Sequence, residues 1–283
     1  MQSITYTNAA GKILEISPAS ECFIFQDISG TTSADVDIAT SAPAGMDGIL
    51  IHNAKLTDRE ITVNLHIRGT SLEDMFKRRQ ELIALTSPVL NRSGKLGELI
   101  YRNAGGAWRI PAAIKIGAKD TGRRRGFYQP MRIVFSCPNP YWRDIDVSIS
   151  RLAYLSGGFA FPLRIPAVTE SQPGIRFGSR GYKADIFSAG DAPAPLEIAV
   201  TGPALLPTIE HQQTGKRLIV NRELGTGDTL RIITAAGNKT VEITLSTGEK
   251  EDAMGALDSA SDFFSLQPGN NTLIQAATTQ RHP

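Results

Sequence analysis

Two pairs of carboxylates offer the first chemical possibility in this chain of 283 residues. Asp35 and Asp37 stand two apart, as do Asp144 and Asp146. On a strand each pair would share one face, the minimum geometry for paired-acid hydrolysis. Any solvated strand face carries the same spacing, so the pattern specifies nothing by itself. The four histidines, His52, His66, His211 and His282, have neither metal-ligand spacing nor a Ser or Cys beside them in a nucleophile pattern. Gly225-Thr226-Gly227-Asp228 and Thr214-Gly215-Lys216 echo loops that cradle phosphate. The first lacks a third glycine and a following helix, the second lacks the upstream glycine, and neither opens a βαβ unit. Both read as tight turns whose glycines supply positive φ. The expectation is therefore no catalytic, cofactor-binding or metal-ligating residue, no cofactor, and a chain that is not an enzyme.

Two features of recognition type remain. Arg123-Arg124-Arg125, followed by Phe127-Tyr128, is the dense basic feature of the chain. It reads as a solvated loop tip, as a contact for an acidic surface on a neighbouring subunit, or as a phosphate contact with aromatic interleaving. The first two readings fit better, because 30 basic and 28 acidic residues leave a formal charge of only +2, with no electrostatic bias toward nucleic acid. Tyr141 and Trp142 could stack on a sugar, yet with Pro138 and Pro140 around them an anchor at the joint between domains is the better reading.

The elements that must hold these residues are short and mostly β. Residues 12–16, 22–26 and 59–69 read as strands, the last with Ile61, Val63, Leu65 and Ile67 on one face and His66 on the other. Pro43 to Gly48 reads as a turn-rich loop. Ser71 is a good N-cap for a helix whose first turn carries Glu73 and Asp74, with Leu72, Met75, Phe76, Leu82 and Ile83 on one stripe and Pro88 closing it. A hairpin signal follows at 98–110 around Gly105-Gly106, then strand patterns at Ile114, Ile116 and 131–135. Beyond Pro195, alternating segments at 196–200, 217–220, 229–233, 240–245 and 262–266 are separated by turn residues, the signature of an antiparallel sandwich or barrel. Two prolines in the three residues from Pro138 to Pro140 cannot stay inside a sheet. A boundary near 150 therefore divides the chain into domains of 1–150 and 151–283.

Cys22 and Cys137 lack any C-x-x-C spacing and are expected to be reduced, half-buried hydrophobes. The start shows no basic and apolar leader, so no signal peptide is expected and the chain is expected to be made in a cytoplasm. No apolar stretch approaches the roughly 18 residues of a membrane span, and no membrane partner is expected.

An ordered series of motifs resembles the phage distal tail proteins, the siphovirus-type tail component family. In the first domain these are Gly45-Met46-Asp47-Gly48, the strand containing Arg59, the helix with Lys77-Arg78-Arg79, and Asn139-Pro140-Tyr141-Trp142. In the second they are Gly157-Gly158-Phe159-Ala160-Phe161-Pro162, residues 198–203, Pro207-Thr208-Ile209, Thr214-Gly215, residues 227–230 and Ser261 to Asn270. The resemblance implies a mainly β chain: a tail-tube-like β sandwich or half-barrel with one flanking helix, then a galectin-like antiparallel β-sandwich. It implies a structural hub of a phage or prophage tail tip (baseplate), with copies closing into a hexameric ring. The implied partners are other copies of the chain, the tail tube protein, and tail-tip or tail-associated proteins, in some members a receptor-binding protein; DNA only passes through the ring channel. The alternative is a carbohydrate-binding module contacting the host surface through the C-terminal sandwich.

Overall fold

Period-2 burial builds the first of two compact units, Met1–Val147 and Ser148–Pro283. The structure is a computed structural model that describes residues 1–45, 47–152, 154–155, 180–181 and 183–278. In the first unit come β1 (Ser3–Thr7), β2 (Ile13–Ile16), β3 (Phe23–Ser29), β4 (Val36–Ser41), β5 (Leu50–Leu56) and β6 (Arg59–Arg68). Helix α1 (Leu72–Leu85) follows, then β7 (Gly97–Asn103), β8 (Gly106–Asp120), β9 (Tyr128–Cys137) and the short β10 (Arg143–Asp144).

One antiparallel sheet runs in the order β2-β1-β7-β8-β9-β6-β3, with β10 added beside β8. The outer strands of this path meet: Ser17, just after β2, bridges to Ile24 in β3, and its carbonyl accepts from the Phe25 N–H. The sheet therefore curls into a nearly closed barrel, which removes the edges that an open sheet would present. Its interior is one cluster holding Ile61, Val63, Leu65 and Ile67 of β6 with Ile133 and Phe135 of β9, Tyr6 of β1 and Leu99 of β7. The alternation of β6 is as its sequence predicts, with His66 on the opposite, half-buried face.

Helix α1 closes the barrel, and its caps explain its limits. The Ser71 Oγ accepts from the Asp74 N–H at 3.1 Å, while Asp74 Oδ2 accepts from the Thr70 N–H at 2.8 Å. At the other end Thr86, fully buried, donates from Oγ1 to the Leu82 carbonyl and accepts from the Ala118 N–H, tying the helix end to β8. The apolar stripe splits. Met75 and Leu82 are buried, but Leu72, Phe76 and Ile83 remain largely exposed. At 100° per residue these three lie roughly 60–120° around the helix from the buried pair. The sheet covers one margin of the stripe and leaves the other uncovered by this chain's described residues.

The second unit holds β11 (Tyr154–Leu155), β12 (Arg180–Gly181), β13 (Lys183–Ser188), β14 (Glu197–Thr201), β15 (Leu205–His211), β16 (Lys216–Ile219), β17 (Thr229–Ile233), β18 (Thr240–Thr244), β19 (Lys250–Asp252) and β20 (Gly269–Thr278). Two four-stranded antiparallel sheets, β13-β20-β15-β16 and β14-β17-β18-β19, share one core of Ile209, Leu218, Leu230, Ile232, Val241, Ile243 and Leu273. Side chains from both sheets in one cluster define a sandwich. Residues 262–266 alternate in burial, with Phe264 and Leu266 inside, but they are not a strand. Their backbone is held by isolated bonds, the Asp262 N–H to Arg217 and Leu266 with Ala194, so the period reports burial without a ladder. The 157–162 motif, His282 and the 169–179 part of the preceding loop lie outside the described residues.

Asp74 links the helix cap to pH. Its carboxyl is lowered to about 2, first by the Arg78 guanidinium that donates to it and then by the Thr70 backbone N–H. A depressed folded pKa means the stabilisation is complete above the free-carboxylate range and is lost as pH falls toward 2. Far-UV thermal melts of the protein should therefore lose stability between about pH 4 and pH 2. Asp74→Asn should flatten that acid limb, and an unchanged limb in the variant would show that other groups produce it.

Candidate assembly surface

The polar groups singled out in the sequence are dispersed by the fold. Asp37 lies in β4 and pairs with Lys55 of β5 at 3.4 Å, while Asp35 stands just outside β4 and receives the Thr57 N–H on its carbonyl. Asp144 sits in β10 and Asp146 in the bend after it, both exposed. His52 bonds Ser41 across the β4–β5 pair. Asp228 closes the glycine turn that had resembled a phosphate loop, its carboxylate accepting from the Gly225 and Ser246 N–H groups. Gly227, at φ +91°, and Gly215, at φ +67°, supply the positive φ those turns need. Among the described residues no three His, Cys, Asp or Glu side chains gather in a way that could hold a metal ion.

Burial of polar groups is instead structural. His211 is fully buried, stacked on Phe264 at 5.5 Å, with Thr214 at 2.7 Å from Nδ1 and Asn271 Oδ1 at 3.0 Å from Nε2. Asn271 also donates to the Gln267 and Gly269 carbonyls and accepts from the Gln267 N–H. This network pins the start of β20. No local signal announces it, since the partners are sixty residues apart. Cys22 and Cys137 are free and lie at opposite ends of β6, Cys22 bonded through its carbonyl to Arg68 and Cys137 opposite Arg59. Burial pushes the Cys137 thiol up to about 12, so the reactive thiolate is suppressed.

The element that stands apart is the hairpin of β4 and β5. Every residue in both strands is exposed. Val36 faces Leu56 across the pair, Ile38 lies two residues on, and Ile49, Leu50 and Ile51 follow the turn, with Ile51 at 65% exposure. Sequence reasoning found only the turn at Pro43 to Gly48. The missed signal was an apolar run on each side of it, which matched no core-facing period.

Arg59 fixes where this hairpin leaves the barrel. The side chain is buried, and burial draws its guanidinium pKa down. Its Nε donates to the Pro140 carbonyl at 2.8 Å, and Nη1 donates to the carbonyls of Gly30 and Thr32 at 2.9 and 3.2 Å. One planar fork thus ties the loop entering the hairpin to the loop leaving β9. Gly30 has φ +84°, and a side chain there would collide with the Glu60 carbonyl. Trp142 adds a second tie: its Nε1–H donates to Thr31 at 3.2 Å and its ring lies 6.2 Å from Tyr101. Trp142 is therefore engaged inside the first unit, while Tyr141 beside it is exposed.

Two family models match the sequence. Residues 14–106 match the phage tail protein RIFT-related domain, and residues 189–282 match the C-terminal domain of the siphovirus-type tail component. The chain belongs to the siphovirus-type tail component family, the phage distal tail proteins. Solved structures agree on the fold of this tail component. The crystal structure of SPP1 Dit (gp 19.1), described as a paradigm of the hub adsorption apparatus in phages infecting Gram-positive hosts, superposes with a TM-score of 0.66 at 16% identity. That match covers 97% of this chain and 94% of the other. A chain of the phage P2 baseplate in its activated conformation with Ca matches with a TM-score of 0.52 at 13% identity, over 97% and 98% of the two chains. A search of the curated proteins finds no match.

Arg59→Met should leave the Gly30, Thr32 and Pro140 carbonyls unpartnered, at a cost of about 2–4 kcal/mol. Urea unfolding of the first unit would measure the loss, and limited proteolysis within 33–57 should quicken. Arg59→Lys should not restore either, because one ammonium cannot reproduce the fork. Wild-type proteolysis rates in both variants would show that the hairpin is anchored by other contacts.

Proposed function

We propose that this tail protein is the structural hub of a phage or prophage tail tip, assembling as a hexameric ring that joins the tail tube to tip proteins and performing no catalysis. The first unit forms the ring, and the second is a galectin-like sandwich. The protein is made in the host cytoplasm and ends in the virion, with DNA passing through the ring channel.

One observation carries this reading: a wholly exposed hairpin with apolar side chains, anchored by a buried arginine. A two-stranded hairpin alone in water is marginally stable. Its free edges and apolar faces are the kind of surface that another copy satisfies, and a head-to-tail contact whose rotation closes gives a ring. The uncovered margin of α1, with Leu72, Phe76 and Ile83, is a second apolar surface on the same unit.

Native mass spectrometry with negative-stain imaging is the test. Six copies in an annulus are expected for the wild type, and Ile38→Ser with Ile51→Ser should shift the population to monomer while the melting of the barrel changes little. A six-fold annulus that survives both substitutions would take the hairpin out of the interface.

A second reading has one observation behind it. Phe187 in β13, an outer strand of its sheet, is 70% exposed, whereas Phe263 lies under Lys239 and Phe264 is buried. A host-surface glycan stacking on that ring would bind saturably on a glycan array and be lost in Phe187→Ala. An array without signal for the wild type removes it.

A further inference from the structure

The Arg123–Arg125 tip has no use in the reading above, and the fold gives it company. β8 and β9 bring Lys119 opposite Arg132, and the chain turns back so that Tyr128 stands opposite Arg68. The Arg68 guanidinium lies 5.9 Å from the Tyr128 ring. Arg68 and the Arg123–Arg125 tip thus place four cations at one end of the barrel sheet, with Lys119 and Arg132 farther in, level with Asn64 at the middle of β6. None of these six cations forms an ion pair among the described residues; the pairs at that end join Arg79 to Asp120 and Arg78 to Asp74, and the exposed Glu21 and Glu73 are the other acids near it.

The other end of the same sheet carries the opposite sign. There β6 begins, with Asp58 before it, Asp35 held to Thr57, and Asp144 and Asp146 after β9. Asp58 accepts a hydrogen bond from Ser136, and all four acids are exposed and outside the ion pairs of the described residues. Arg143 is the exposed cation among them, Arg59 points inward, and Lys55 and Lys115 are taken by Asp37 and Glu60. The ten residues of β6 separate the two ends by about 30 Å. That is several times the roughly 8 Å screening length at physiological salt, so neither end neutralises the other within one copy.

A head-to-tail contact needs two different, mutually complementary patches on one chain. We propose that the Arg123–Arg125 tip of one copy docks on the Asp35, Asp58 and Asp144 end of the next. The inference rests on the ring reading and names the polar half of its contact. Guanidinium forks suit carboxylates, and exposed charges of this kind act on association more than on folding.

Two full-length variants test it: one with Arg123→Glu, Arg124→Glu and Arg125→Glu, the other with Asp35→Lys, Asp58→Lys and Asp144→Lys. All six positions are exposed, and circular dichroism would confirm folding. In sedimentation velocity at low salt, each variant alone should associate at least about tenfold more weakly than wild type, and wild-type association should weaken similarly in 0.5 M salt. An equimolar mixture should restore the ring, because each reversed tip then meets a reversed acidic end. Native mass spectrometry should show three copies of each. Wild-type rings indifferent to both reversals would overturn the contact and leave the ring reading standing. Wild type and mixture that both stay monomeric would overturn the two together. Duplex DNA retained by wild type and lost on tip reversal, with association unchanged, would overturn it in favour of nucleic acid.

Discussion

The geometry of the first unit depends on a guanidinium taken out of water and given neutral partners. Arg59 stands at the start of β6, where the chain has just returned from the hairpin, and its donors reach carbonyls on both sides. A charge bonded to backbone carbonyls does not need a second buried charge, so the cost of desolvation is met by several charge-assisted bonds. A glycine at 30 lets the loop come close enough, and the Trp142 ring closes over the same loop. The hairpin therefore leaves the barrel at a defined place although nothing along its own length is buried.

That arrangement separates two tasks that a single sheet cannot do together. The barrel meets its own edges, β2 against β3, and fills its interior with apolar side chains from β6 and β9. Self-satisfaction of that kind gives stability but leaves no free strand edge for a neighbour to pair with. The hairpin keeps the unpaired edges and the exposed apolar side chains. Helix α1 divides its labour in the same way, with Met75 and Leu82 spent on the core and Phe76 and Ile83 left outside.

Legibility in the sequence follows these tasks. Where a residue's environment is set by its own chain, local rules suffice: β6 alternates, Ser71 caps, and Gly215 and Gly227 turn. The rules misread residues 262–266, because alternate burial there comes from covering a core and not from pairing. They passed over β20, whose first residues look like a turn until Asn271 is seen to hold Gln267, Gly269 and His211 at once. They missed the hairpin for a deeper reason. Ile49, Leu50 and Ile51 are consecutive, and all three are exposed among the described residues. A run of apolar residues that faces no core of its own unit cannot be decoded by asking which side points inward.

The candidate reactive groups of the described residues lie apart from one another. Catalysis needs groups held together at one point with water excluded, whereas assembly needs complementary features held apart. In this fold the conspicuous charges are distributed along the strands, basic at the return of β8 into β9 and acidic where β6 starts, with a rigid ten-residue strand between them. A sheet that keeps opposite charges about 30 Å apart can offer both at once to two different neighbours. Bringing them together would neutralise both and leave no direction in the contact.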